Sequence, residues 1–330
     1  MATAARTTGT AKTDNLRREQ IIGAIQRRGA LAVLALVVAI SALTLDGFFT
    51  LGNIENVLLH ASFLGLIAVG MTFVIITGGV DLSVGSVLAL GGVIAAAFAG
   101  VAWPLGFIVP VLVCGAIGLL NGLLIAKAKL PFFIVTLATL LGVRGLALLM
   151  PSMLPPTITE TGTFSWFGRG EILGIEVPII IAAVALVLGA LVLNRTRYGE
   201  AVFAVGGSED AARLSGVQVD RVKIIAYTMS GALAGLAGAL VAAWLSMGLP
   251  TAGDAWELYA IAAVVLGGTL LTGGAGSMLG TLAGLLLFYT IQNVINQVGT
   301  LTSYVQQMVI GAFVIVVVAA QTYLARKRTD

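Results

Sequence analysis

Apolar residues fall along this chain in ten long blocks, at about 29–45, 57–77, 84–100, 105–126, 131–150, 178–194, 224–247, 258–272, 276–298 and 304–324. A helix needs about 20 consecutive apolar residues to cross a bilayer. The pattern therefore predicts an all-α polytopic membrane protein of about ten transmembrane helices. Two of the polar breaks, 77–84 and 272–276, are short and glycine-rich. They are either true loops or interruptions within the membrane, which irregular backbone tolerates only when protein covers it.

Composition strengthens this picture and closes other routes. Of 330 residues, 58% are hydrophobic and 10% charged, whereas soluble domains carry about 25% charged residues. So few charges cannot cover a water-facing surface, which excludes a soluble enzyme. The sidedness of charge gives an independent check, because Lys and Arg concentrate in cytoplasmic loops. With residues 1–28 placed inside, the inward loops are 78–83, 127–130, 195–223 and 273–275, followed by a tail from 325. Every Lys and Arg except Arg144, within a span, and Arg169, in an outward loop, then lies inside. Both termini are expected in the cytoplasm, with 1–28 a retained tail, 29–324 the membrane domain and 325–330 a second tail. The single cysteine, Cys114, and single histidine, His60, leave no internal disulfide and no Cys/His metal cluster. The dipeptide Gly-Lys is absent, so the chain lacks a P-loop. The net charge of +3 reflects orientation in the membrane and points to no nucleic acid.

Two connecting segments exceed a tight turn. The outward loop 151–177 opens with Pro151, Pro155 and Pro156, which forbid a continuous helix there. In the inward loop 195–223, Ser208 suits a helix N-cap, with Glu209 and Asp210 at the positive end, Arg213 at the negative end and Gly216 as the stop. This predicts a helix of about seven residues, roughly 10 Å long, whose exposed face offers Ala211, Ala212 and Leu214. Such a knob suits a socket on another protein; a capped loop helix without a partner fits the same signals.

Polar residues inside the apolar blocks carry the remaining information. Asp81 lies between glycines and before Ser83 and Ser86. An acid at that depth requires a partner or water, and the three residues also suit capping of a helix starting near Val84. Arg144 sits near the centre of its block and should face the protein interior, paired to a backbone carbonyl or to Asp81. Asn121, Gln292, Asn293, Asn296 and Gln297 place amides on helices, as bonds between helices or as a lining for hydroxyl-rich ligands. The run from Gly231 through Gly235 to Gly238 fits close helix packing. A faint internal echo joins Thr77-Gly-Gly to Thr272-Gly-Gly, each preceding a helix.

These residues also resemble a known family, the permease subunits of ATP-binding cassette (ABC) importers for monosaccharides of the ribose, xylose, arabinose and galactose type. The resembling stretches are 70–86, 121–126 with 130–138, Arg144-Gly145, Arg197-Tyr-Gly199, 204–207, 211–216, 260–269 and 273–277, in family order. The segment from Gly299 to Gln321 is most similar to permeases of galactofuranose-type systems, in which two different permeases pair. The resemblance implies a dimer of permeases, homomeric or heteromeric, an external sugar-binding protein, and ATPase subunits that bind ATP and Mg in place of any cofactor in this chain. It implies that Gly206, Gly207, Ser208, Glu209, Ala211, Ala212, Arg213, Leu214, Ser215 and Gly216 form the loop docking the ATPase. Candidates for the pathway or gate are Asp81, Ser83, Ser86, Asn121, Arg144, Glu257, Asn293 and Asn296. The chain departs from the family at Ser208, where an Asn is frequent, and at Tyr259, which replaces the usual acid beside Glu257-Leu258.

The expected function is thus the membrane subunit of an ATP-driven sugar importer, with no catalysis of its own, in the bacterial inner membrane. A branched-chain amino acid permease of the same kind is the alternative, and a transporter driven by an ion gradient is a third. The Ile-Thr-Gly-Gly-Val-Asp-Leu-Ser run favours sugar, and membrane acids for ion coupling reduce essentially to Asp81.

Overall fold

A computed structural model describes residues 31–150 and 162–298, together with 308, 311, 312 and 315. The tails 1–28 and 325–330, the proline-rich stretch 151–161 and nearly all of the tenth block lie outside the described residues. Residues 308, 311, 312 and 315 are helical, and the helices whose bounds are described follow in chain order. They are α1 (Leu31–Thr44), α2 (Leu51–Ile76), α3 (Val84–Ala99), α4 (Leu105–Ala126), α5 (Phe132–Leu149), α6 (Thr163–Arg169), α7 (Val177–Arg195), α8 (Arg197–Gly207), α9 (Glu209–Leu214), α10 (Val219–Leu245), α11 (Trp256–Leu266) and α12 (Met278–Val298). Between α6 and α7 a small antiparallel ladder pairs β1 (Glu171–Ile172) with β2 (Ile175–Glu176). Its two-residue turn, Leu173-Gly174, has positive φ at both positions, the geometry that matches the twist of paired strands.

Among the described residues, six helices are long and apolar enough to cross a membrane: α2, α4, α5, α7, α10 and α12. The blocks at 29–45, 84–100 and 258–272 hold shorter helices. At 16 and 11 residues, α3 and α11 reach about 24 and 16 Å, less than the roughly 30 Å of hydrocarbon. Each adjoins a glycine-containing break that is at least partly buried, after α11 at Gly267, Thr269 and Gly273. The glycine-rich break before α3 is buried at Thr77, Gly79, Asp81 and Ser83.

Helix α2 is the axis of the molecule. Within its most apolar stretch 94% of residues are buried inside the protein, against 22% for α5 and 28% for α7. The outer helices instead expose large apolar side chains, such as Leu112, Leu141 and Val187. Water would not tolerate that surface; lipid or a partner helix does. Packing around the axis depends on small residues, as the sequence suggests. Gly231 meets Cys114 and Gly118 of α4, Gly235 meets Pro110 and Cys114, and Gly238 meets Leu88 and Gly92 of α3. With no side chain between them, the backbones of α10, α3 and α4 approach closely.

After α10 the chain does not leave along the same line. Gly248 lies against Gly92, Val93 and Ala96, and Gly253 against Gly85 and Leu88. Residues 246–255 thus fold back beside α3, antiparallel to it, before α11 begins.

Candidate functional site

The short helix α9 matches its sequence signals. The Ser208 hydroxyl accepts the Ala211 N–H at 3.3 Å, and Glu209 and Asp210 occupy the first turn. At the other end Gly216 has φ +83°, and the Gly216 and Val217 N–H groups return to the Arg213 and Ala212 carbonyls. This double return is the glycine-terminated ending that satisfies the last carbonyls of a helix. Leu214 is 91% exposed and Ala211 is exposed, but Ala212 is buried. The expected knob therefore consists of Leu214 and Ala211. Ala212 turns the other way because six residues make less than two turns, and one side must seat the helix on Val217, Val219 and Val222 of the same cluster. Ion pairs from Arg213 and Lys129 to Asp220, each 3.2 Å, and from Lys223 to Glu209 tie α9 to α10 and to the α4–α5 turn.

Just before α9, Gly206 is wedged between both glycine-rich breaks. A Cβ there would overlap the Ile76 carbonyl oxygen and the Gly274 nitrogen, which bond to each other at 2.9 Å. Gly273 in turn touches Gly78 and the Gly206 carbonyl. The two halves of the sequence echo, at 77–79 and 272–274, meet each other at the end of α8.

Beyond this notch lies a buried polar network. Asp81 Oδ1 accepts the Ser83 N–H at 3.0 Å and the Ser83 hydroxyl at 2.6 Å, while Oδ2 accepts the Ser230 hydroxyl of α10 at 2.9 Å. The Asn121 amide of α4 donates to Ser83 Oγ at 3.1 Å and accepts from Thr139 of α5 at 2.6 Å. Ser86 donates to the Ser83 carbonyl. The expected cap is not formed: Ser83 at the N-cap makes no capping bond, and Asp81 instead closes a local turn and reaches across to α10. Burial explains the difference, since a carboxylate this deep needs every available donor. Ser230 and Thr139 escaped the sequence reading because single hydroxyls inside small-residue and apolar runs carry no spacing signal.

Arg144 pairs with neither Asp81 nor any member of that network. Its guanidinium donates to the Pro250 carbonyl at 2.7 Å and the Ala252 carbonyl at 3.0 Å, and pairs with Asp254 at 2.7 Å. The folded-back segment 246–255 explains this choice. Its non-helical carbonyls lack helix partners, and a five-donor fork at membrane depth supplies them. Glu257 is half-buried, and its carboxylate occupies the space left by Gly85.

At the N-terminal end of α2 a cleft opens between α2, α11 and α12. It encloses about 240 Å³ and is lined by Asn56, Val57, His60, Trp256, Tyr259, Tyr289, Gln292, Asn293 and Asn296. Asn293 is buried and exchanges two hydrogen bonds with Asn53, at 2.7 and 3.1 Å. Gln297 adds a third contact to Asn293 at 3.3 Å. His60 lies edge-on to Trp244 and stacked near Tyr289, with centroids at 5.4 and 6.5 Å. Nearby, outside the spans, burial raises the Glu176 carboxyl above its ordinary pKa, and the Glu55 and Glu171 carboxylates add to that rise. No group of three or more His, Cys, Asp or Glu residues suited to a metal occurs among the described residues.

Comparison with known proteins adds sequence relationships to this geometry. Residues 53–318 match the family described as "Branched-chain amino acid transport system / permease component". The chain is 43% identical over 315 residues to the ribose import permease protein RbsC of Bacillus subtilis, covering 93% of this chain and 97% of that one. It is 40% identical over 309 residues to the RbsC of Haemophilus influenzae, covering 92% and 95%. It is 38% identical over 306 residues to the L-arabinose ABC transporter permease protein AraH of Azospirillum brasilense, covering 92% and 90%. No solved structure matches.

Proposed function

This chain belongs to the permease subunits of ABC monosaccharide importers, and we propose on that premise that a sugar crosses the bilayer along it while a separate ATPase, gripping α8 and α9, supplies the energy. The family description refers to branched-chain amino acids, but the relatives at 38–43% identity over nine-tenths of the chain carry ribose and arabinose names. A monosaccharide is therefore the preferred cargo. Being the transport subunit, the chain acts through conformation rather than covalent chemistry.

The single observation that carries the coupling is the seat of α8 and α9. One side of α9 presents Leu214 outward, and Gly206 at the end of α8 touches the chain breaks beneath α2 and α11. A force applied at Leu214 thus reaches both breaks through a few rigid contacts. From Ile76 at the notch to Asn56 at the cleft, α2 spans about 30 Å of helix. Moving its lower end tilts its upper end. ATP and Mg are held by the ATPase, and a loaded binding protein delivers sugar at the opposite face. Each partner favours one conformation, which is how its binding energy shifts the permease between outward-open and inward-open states. The topology that accommodates this has ten crossings, both termini in the cytoplasm, the 195–223 loop inside and the 151–177 loop outside. A second permease, the same or a paralogue, completes the pathway in the bacterial inner membrane.

The test is uptake of labelled D-ribose and L-arabinose into vesicles holding this permease with its ATPase and binding protein. Uptake should require all components and ATP. Uptake by the permease alone along an ion gradient would overturn the importer reading.

A further inference from the structure

The cleft at the N-terminal end of α2 has a lining whose chemistry is selective. Four primary amides, from Asn56, Gln292, Asn293 and Asn296, share the lining with three aromatic residues, Trp256, Tyr259 and Tyr289, and with His60. Among the described residues neither a carboxylate nor a Lys or Arg lines it. An amino acid zwitterion or an ion leaves its charges uncompensated in such a place, at high cost. A neutral polyol does not. Each amide offers both donors and acceptors, as a sugar hydroxyl does, and aromatic faces cover the apolar C–H face of a sugar ring while their polar tips stay hydrogen-bonded. The volume, about 240 Å³, lies below the roughly 300–1,000 Å³ of pockets for drug-sized ligands, which suits a small solute.

The amides divide into two groups. Asn293 is committed to the reciprocal pair with Asn53 and to Gln297, so it fixes α12 against α2. Asn56, Gln292 and Asn296 make no side-chain hydrogen bond among the described residues. Gln292 and Asn296 are one turn apart on α12, with Tyr289 a turn before Gln292, so a single helix face presents a ring followed by two amides without a side-chain partner among the described residues. The cleft also borders the start of α11. Trp256 and Tyr259 open α11 directly after the folded-back segment that Arg144 clamps.

We propose that this cleft is a monosaccharide-binding site of the permease itself, in which Gln292 and Asn296 read ring hydroxyls, Trp256 and Tyr259 cover the ring, and Asn293 holds the wall. The proposal rests on the importer reading and extends it: sugar selectivity resides partly in this chain. The experiment uses the complete transporter in vesicles, with D-ribose, L-arabinose and D-galactose as probes, comparing the unaltered permease with Gln292→Ala and Asn296→Ala. Uptake rate, ATP hydrolysis stimulated by the loaded binding protein, and thermal stability are measured together. Loss of one hydrogen bond should lower uptake of the preferred sugar by about 3- to 10-fold and change the ratio among the three sugars. Melting temperature should stay at the unaltered value. Unchanged rates and ratios overturn the site. So does a loss uniform across all three sugars accompanied by lost ATP hydrolysis or stability, which is the signature of a structural amide. Absence of uptake for all three sugars in the unaltered complex removes the importer reading, and the cleft assignment with it.

Discussion

Removing the Asp81 carboxylate strips the Ser83 N–H, the Ser83 hydroxyl and the Ser230 hydroxyl of their acceptor in one step. A buried donor left without a partner costs about 1–3 kcal/mol, so Asp81→Ala should lower the stability of the purified permease measurably. Ser230→Ala removes only one of the three bonds. Because both changes sever the same Asp81–Ser230 contact, their effects should be non-additive, by about 0.5–3 kcal/mol in a double-mutant cycle. Denaturation of the four proteins in detergent gives that number; strict additivity would mean that the two groups do not interact. Asp81→Ala should also slow uptake, since the network ties the break before α3 to α4, α5 and α10. The identity of Asp81 as a residue requiring partners is legible in the sequence, because an acid among apolar residues has few ways to persist. Its partners are not legible: Ser230 is 149 positions away, and no local spacing relates them. Arg144 teaches the same lesson. Its need for a partner follows from its depth, whereas its choice of Pro250, Ala252 and Asp254 follows from a fold-back that the sequence does not announce.

Elements differ in how far local rules determine them. Helix α9 is defined by its own residues, a Ser cap, acids in the first turn and a left-handed glycine at the end, so its existence was readable. Which side it exposes was not, because Ala212 is buried by neighbours from the following segment. The glycine pair ending α8 makes a sharp test of the coupling contact. At Gly206 an added Cβ collides with backbone on two sides, while at Gly207 nothing lies within 4 Å. Overpacking of this kind costs about 1–3 kcal/mol. Gly206→Ala should therefore uncouple ATP hydrolysis from uptake or reduce both, and Gly207→Ala should behave nearly as the unaltered protein. Uptake and ATP turnover measured on the two variants decide it; equal behaviour would show that this contact does not transmit motion. The apolar blocks at 84–100 and 258–272 carry a related lesson. Hydropathy alone does not distinguish a full crossing from a short helix completed by buried irregular chain, since both are apolar over a similar length.

For the whole molecule the outstanding prediction is sidedness. The only native cysteine, Cys114, is fully buried, so a cysteine introduced elsewhere can be labelled selectively. Leu173 at the hairpin turn and Leu214 on α9 are 98% and 91% exposed. A membrane-impermeant maleimide should modify Leu173→Cys in intact cells and Leu214→Cys only after the membrane is opened. The reverse order would invert the topology and place α9 out of reach of a cytoplasmic ATPase. Much at this scale was settled by the chain itself. Its scarcity of charge and its blocks of about twenty apolar residues leave only a bundle of helices in lipid, because an unpaired backbone group cannot persist there. Those are properties of each segment against its solvent, and they need no knowledge of neighbours. Only the tertiary structure decided that α2 is the central rod, that the two glycine breaks meet at Gly206, and that amides and rings from α2, α11 and α12 enclose one cleft. Those arrangements depend on contacts between residues up to 240 positions apart, chosen by complementary shape and hydrogen bonding in three dimensions, to which a linear pattern of hydropathy is blind.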